Sequence, residues 1–138
     1  MRVLALYGES NIRKTSSLLL LYKRLLTNGY VQVKDHYRYI SNGDIFDVLE
    51  KEGNLIGIIT QGDYVKGSNS VKNHLKNLKI AGCQKAIYAA SQTSNKIQPL
   101  DQVKCYSSHI IIPKTIEIMK SKQLAVNSND ANLIFNMI

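Results

Sequence analysis

Apolar positions along the chain fall into short runs separated by polar turns. Val3-Leu4-Ala5-Leu6-Tyr7 alternates too little for a half-exposed strand and predicts a buried, parallel one. From Lys14 onward, Leu18, Leu21, Tyr22, Leu25 and Leu26 recur at helical spacing, and Leu19 and Leu20 widen that stripe almost all round. Asn28-Gly29 closes this helix. Residues 31–35 read as a weak alternating strand, followed by a polar, Tyr-rich connection to Asn42-Gly43. Residues 45–49 and 55–60 flank Lys51-Glu52-Gly53-Asn54 and predict a β-hairpin whose second, more apolar arm lies deeper in a sheet. A helix from about Ser68 turns Val71, Leu75 and Leu78 inward and Lys72, Lys76 and Lys79 outward, and ends at Gly82. Residues 85–91 predict another buried strand, 100–106 a short helix, and 109–113 a strand that continues toward Ile118. Pro113 puts that last strand at an edge or a bulge. Residues 130–138 read as a closing helix with Leu133, Ile134 and Met137 packed down.

Strands alternating with helices predict an α/β domain of three layers, with a mostly parallel sheet and one β-hairpin. The 138 residues suffice for one core, so residues 1–138 are read as a single domain. No apolar run approaches the roughly 18 residues of a membrane span, and no leader pattern precedes the first strand. Cys83 and Cys105 have neither metal nor redox spacing, and His36, His74 and His109 are scattered. The expectation is a cytoplasmic protein with free thiols and no membrane partner.

Chemistry concentrates between the first strand and the first helix. Gly8-Glu9-Ser10-Asn11-Ile12-Arg13-Lys14-Thr15 has the frame G-x-x-x-x-G-K-[ST] of a phosphate-binding loop, with Arg13 where the second glycine belongs. Such a loop turns backbone N–H groups inward, and the helix start behind it adds partial positive charge. Gly8 is expected to leave the strand in a conformation closed to residues with a Cβ. Lys14 is expected to reach the terminal phosphates, and the Thr15 hydroxyl to ligate Mg²⁺. Arg13 is compatible with ordinary negative φ at a helix entry, with its guanidinium turned outward or onto phosphate. The same residues also fit a plain turn with solvated Lys and Thr.

In open α/β sheets ligands sit beyond the C-terminal ends of the strands. That rule selects residues 8–15, 60–63 and 91–93 as ends that would share one crevice. Asp63 is the carboxylate just after a buried strand, a candidate for Mg²⁺ opposite Thr15 and equally a turn residue. Thr60 and Gln61 are candidates to orient water or phosphate, although a plain turn fits them better, and Gln92 and Thr93 are candidates to touch base or phosphate. Ser16 extends the loop candidates, and no catalytic residue is assigned.

With strand, loop, helix and hairpin in place, the chain resembles the P-loop NTPase superfamily, most of all its small single-domain bacterial ATP-binding members with a degenerate Walker A loop. The resemblance rests on residues 4–15 and more loosely on 56–63 and 87–91. It implies that Gly8 to Thr15 wrap the phosphates of ATP or GTP, with Thr15 and Asp63 serving Mg²⁺. Arg13, and an Asp63 three residues past its apolar run, depart from that pattern, so binding is better supported than hydrolysis or kinase-like transfer. Eighteen Lys and Arg against ten Asp and Glu give +8, which favours an anionic partner without choosing one. An alternative is therefore an inactive basic module whose Lys72, Lys76 and Lys79 stripe binds nucleic acid or a protein partner. A third is a structural subunit that docks through its apolar residues 133–138.

Overall fold

The computed structural model describes residues 1–9, 12–40, 43–62, 64, 66–93 and 98–138. The elements run β1 (Arg2–Glu9), α1 (Lys14–Thr27), β2 (Val31–Gln32), β3 (Arg38–Tyr39), β4 (Ile45–Lys51), β5 (Asn54–Ile59), α2 (Val71–Ile80), β6 (Lys85–Gln92), a 3₁₀ helix (Pro99–Cys105), β7 (His109–Pro113) and α3 (Lys120–Phe135). One sheet takes the seven strands in the order β2-β4-β5-β6-β1-β7, with β3 also on β4.

The sheet is mixed rather than mostly parallel. β5, β6, β1 and β7 form a parallel block, whereas β4 is antiparallel to β5, β2 and β3. The predicted hairpin explains this: Glu52 (φ 53°) and Gly53 (φ 81°) make the tight turn between β4 and β5, and such a turn reverses the chain. β7 stands at the edge, where the missing N–H of Pro113 is tolerated.

Side chains alternate across the pleat and divide the core in two. Leu4, Leu6, Ile56, Ile58, Ile87 and Ile112 pack against Leu18, Leu21 and Leu25 of α1 and Ala131 and Ile134 of α3. Val3, Ala5, Val48, Ile59, Ala86 and Tyr88 pack against Val71, Leu75 and Leu78 of α2 and Val103. The sheet thus lies between two helical layers. α2 begins where the Ser70 hydroxyl accepts from the Asn73 N–H at 3.1 Å, and it is followed by Gly82 in the left-handed region (φ 90°).

Three expectations change. The closing helix begins at Lys120, ten residues earlier than its apolar spacing indicates, and Leu133 stays 47% exposed while Ile134 is fully buried. The strand of residues 31–35 shrinks to Val31–Gln32. β7 stops at Pro113, and residues 114–119 are irregular.

Candidate functional site

Four parallel strands end side by side. Gly8 and Glu9 stand in register with Ser91 and Gln92, the Ser91 N–H donates to the Gly62 carbonyl at 3.1 Å, and the Lys114 N–H donates to the Tyr7 carbonyl at 2.8 Å. The three strand ends selected from the sequence therefore share one edge, and the end of β7 joins them. A Cβ on Gly62 would lie 1.2 Å from the Ala89 carbonyl oxygen, so only glycine lets β5 continue this close to β6.

The helix start carries the left-handed turn on Arg13 (φ 66°, ψ 36°), not on Gly8. Arg13 thus holds the kind of backbone conformation expected of Gly8, against the ordinary negative φ expected of Arg13 itself, where the chain turns into α1. Gly8 belongs to β1 and its φ is not positive. Its role is space: a Cβ there would meet Ile12 Cδ1 at 2.3 Å and Lys114 Cβ at 3.4 Å.

Lys14 is buried, and its ammonium donates to the Glu9 carbonyl across the loop. Glu9 and Arg13 are exposed, and Gly8, Ile12, Thr15 and Ser16 are half-buried. Ser10, Asn11 and Asp63 lie outside the described residues. Gln92 is exposed at the end of β6, beside Glu9.

A carboxylate does face Thr15, and it is Asp44. The Thr15 hydroxyl lies 3.0 Å from Asp44 Oδ1 and 3.3 Å from the Thr60 carbonyl. The Thr60 hydroxyl donates to the same Oδ1 at 2.9 Å and accepts from the Ile45 N–H at 2.9 Å. Asp44 is 9% exposed and Thr60 1%. Strand-end reasoning missed Asp44 because β4 runs against the parallel block, so its N-terminal end reaches this edge. The hairpin held the signal: Phe46 pairs with Ile59, which sets the residues before β4 beside those after β5.

One hydroxyl and one carboxylate are hard oxygen donors and suit Mg²⁺, which takes few protein ligands and keeps waters and substrate phosphate as the rest. Among the described residues no group of three His, Cys, Asp or Glu is placed to hold a metal. Next to this cluster, Gln61 is buried and its Oε1 has no hydrogen-bond partner among the described residues. Such an atom is an acceptor held ready for a donor.

On the other side of the loop, Lys114 and Asp130 form an ion pair of 2.8 Å with side chains 1% and 4% exposed. The Thr115 hydroxyl donates to Asp130 Oδ1 at 2.7 Å, and the Ser17 hydroxyl to Asn127 Oδ1 at 3.3 Å. These bonds tie the end of β7 and α3 to α1. Between this network and the loop lies a cleft of about 190 Å³, lined by Ile12, Arg13 and residues 114–118.

The thiols offer no nucleophile at this edge: burial pushes Cys83 up to about 11, and Cys105 is exposed on the 3₁₀ helix. Among the described residues no helix is long and apolar enough to cross a membrane.

A family model described as "Ethanolamine utilisation - propanediol utilisation" (PduV-EutP) matches residues 29–106, more than half of the chain. The match spans β2 to the 3₁₀ helix, including Asp44, Thr60 and Gln61. The stretch Gly8 to Thr15 precedes it. No curated protein and no solved structure matches the chain.

Proposed function

The chain belongs to the ethanolamine utilisation–propanediol utilisation (PduV-EutP) family, which is related to P-loop GTPase-like proteins, and on that premise we propose that it binds a nucleoside triphosphate with Mg²⁺. The observation that carries this reading is the Thr15–Asp44–Thr60 cluster at the start of α1, beyond the ends of the parallel strands. Gly8 to Ser16 would wrap the phosphates, with Lys14 reaching the terminal ones. Gln92, on the neighbouring strand end, would lie toward the rest of the nucleotide. Thr15 would ligate Mg²⁺, and Asp44 would take the part the sequence offered to Asp63, directly or through water. ATP and GTP are both in scope, and residues 1–138 would act as one domain. Turnover is a separate matter: Gln61, whose amide oxygen has no partner among the described residues, would orient a water.

Calorimetry with ATP and GTP, with and without Mg²⁺, tests the reading. Wild type should bind one of them more tightly with Mg²⁺, and Lys14→Ala should abolish binding. No heat from wild type at millimolar nucleotide overturns it.

A further inference from the structure

α1 and α3 run side by side in the same direction: Ser17 bonds Asn127, and the Arg24 guanidinium lies 5.9 Å from the Phe135 ring centroid. Beside these contacts the two helices leave an open groove of about 400 Å³. Leu19 and Leu20 of α1 and Leu124 of α3 line it, and Leu124 is 69% exposed. Arg13, Lys23 and Lys120 stand around the same groove. Through Arg13, Gln123 and Asn127 it joins the smaller cleft beside the loop, where Ile116 and Ile118 are 65% and 92% exposed. So much apolar surface in one place, rimmed by charge, marks an interaction site rather than scattered surface leucines.

We propose that this groove takes an acidic amphipathic helix of another protein. Three observations choose that occupant. The groove lies between two parallel helices, and its α1 wall from Arg13 to Lys23 is about 15 Å long, which suits two to three turns of a third helix. Its charged lining residues are all cationic, so carboxylates flanking the apolar stripe of the guest would face Arg13, Lys23 and Lys120. Of the acids near it among the described residues, Glu117 lines the smaller cleft and accepts from the Met119 N–H at 3.0 Å, and Asp130 is taken up by Lys114. A second copy of this chain is disfavoured, because each copy carries +8. The proposal stands apart from nucleotide binding and survives its failure.

The probe is a labelled synthetic helix of about four turns, with leucines at i, i+3, i+4 and i+7 and glutamates between, titrated with the full chain by fluorescence anisotropy. Saturable binding is expected, weakened about tenfold or more by scrambling the peptide and again by added salt. Leu124→Glu should remove it, and Lys23→Glu with Lys120→Glu should shift preference to a peptide with lysines for glutamates. These sites are exposed, so the variants should melt with wild type. Absent binding, or equal binding of the scrambled peptide, overturns the proposal. Two other results do so as well. One is binding to phosphatidylserine vesicles, lost in Leu124→Glu, without binding to the peptide. The other is concentration-dependent dimerisation in sedimentation that Leu124→Glu abolishes.

Discussion

The Thr15 hydroxyl and the Asp44 carboxylate meet at 3.0 Å, although 29 residues separate them. The contact joins the first turn of α1 to the start of β4, and Thr60 closes it from the end of β5. A hydrogen bond to a charged acceptor contributes about 1.5–3 kcal/mol. A double-mutant cycle of Thr15→Ala and Asp44→Asn in chemical denaturation should give a coupling of about 1 kcal/mol. Strict additivity would mean that the pair contributes nothing jointly. On the proposed function, Asp44→Asn should also remove the Mg²⁺ dependence of nucleotide binding.

Arg13 pays for its left-handed backbone. A residue with a Cβ loses roughly 1–2 kcal/mol there, while glycine loses about 0.5–1 kcal/mol more chain entropy on folding. Arg13→Gly should therefore stabilise the fold by up to about 1 kcal/mol, a rise of about 3 °C in melting temperature. Arg13→Ala keeps the Cβ and should show no such gain. If alanine stabilises as much as glycine, the side chain and not the turn is the source. Nucleotide affinity should survive Arg13→Gly, because the turn the loop requires is already made.

The buried Lys114–Asp130 pair should respond asymmetrically. Lys114→Met or Asp130→Leu alone strands a buried charge and should cost about 3–5 kcal/mol. The double variant removes both charges and should lie within about 1–2 kcal/mol of wild type, the remainder being the Thr115 hydroxyl, N–H and carbonyl that lose these partners. Urea melts of the three variants decide it. A double variant as unstable as the sum of the singles would show that the two side chains act through other partners and not through their pairing.

His74 sets an acid limit. It is 1% exposed on α2 and packs on Phe46 at 5.5 Å. Burial first, then the Arg38 charge, lowers its pKa to about 4, against a smaller upward pull from the Asn69 backbone. Between about 4 and the unfolded value near 6.5 the unfolded chain binds the extra proton, so stability falls as pH falls through this window and levels off below it. The loss reaches up to about 3 kcal/mol. His74→Phe should flatten that segment of the stability–pH curve. An unchanged slope would place the proton uptake elsewhere.

Legibility in the sequence followed the strength of the local pattern. β1, β5 and β6 are buried apolar runs and were readable within a residue or two. The hairpin was readable from Glu52-Gly53 and its flanks. The first ten residues of α3 were not, because Lys120 to Asn129 offers Leu124 and Val126 but no stripe of helical period; tertiary contacts through Asn127 and Ala131 hold it. At the site, the frame Gly8-x₄-Arg13-Lys14-Thr15 was legible, but its two turn positions traded roles. Conformation fell to Arg13 and clearance to Gly8, a difference set by Ile12 and Lys114 packing over the strand end. Asp44 escaped because its proximity to Thr15 depends on strand direction, which no short window contains.

Strand order also fixes when this site can exist during synthesis. β1 is made before its ladder partners, which begin at Lys85 and His109. Until β6 is made, β1 and the leucines of α1 have no sheet to join, while the β4–β5 hairpin can close on local contacts alone. A ribosome-bound chain that ends before β6 would therefore display a bare apolar strand and a half-covered helix, the kind of surface that chaperones hold. The loop between them would gain its shape only as β6 and then β7 arrive on its two sides.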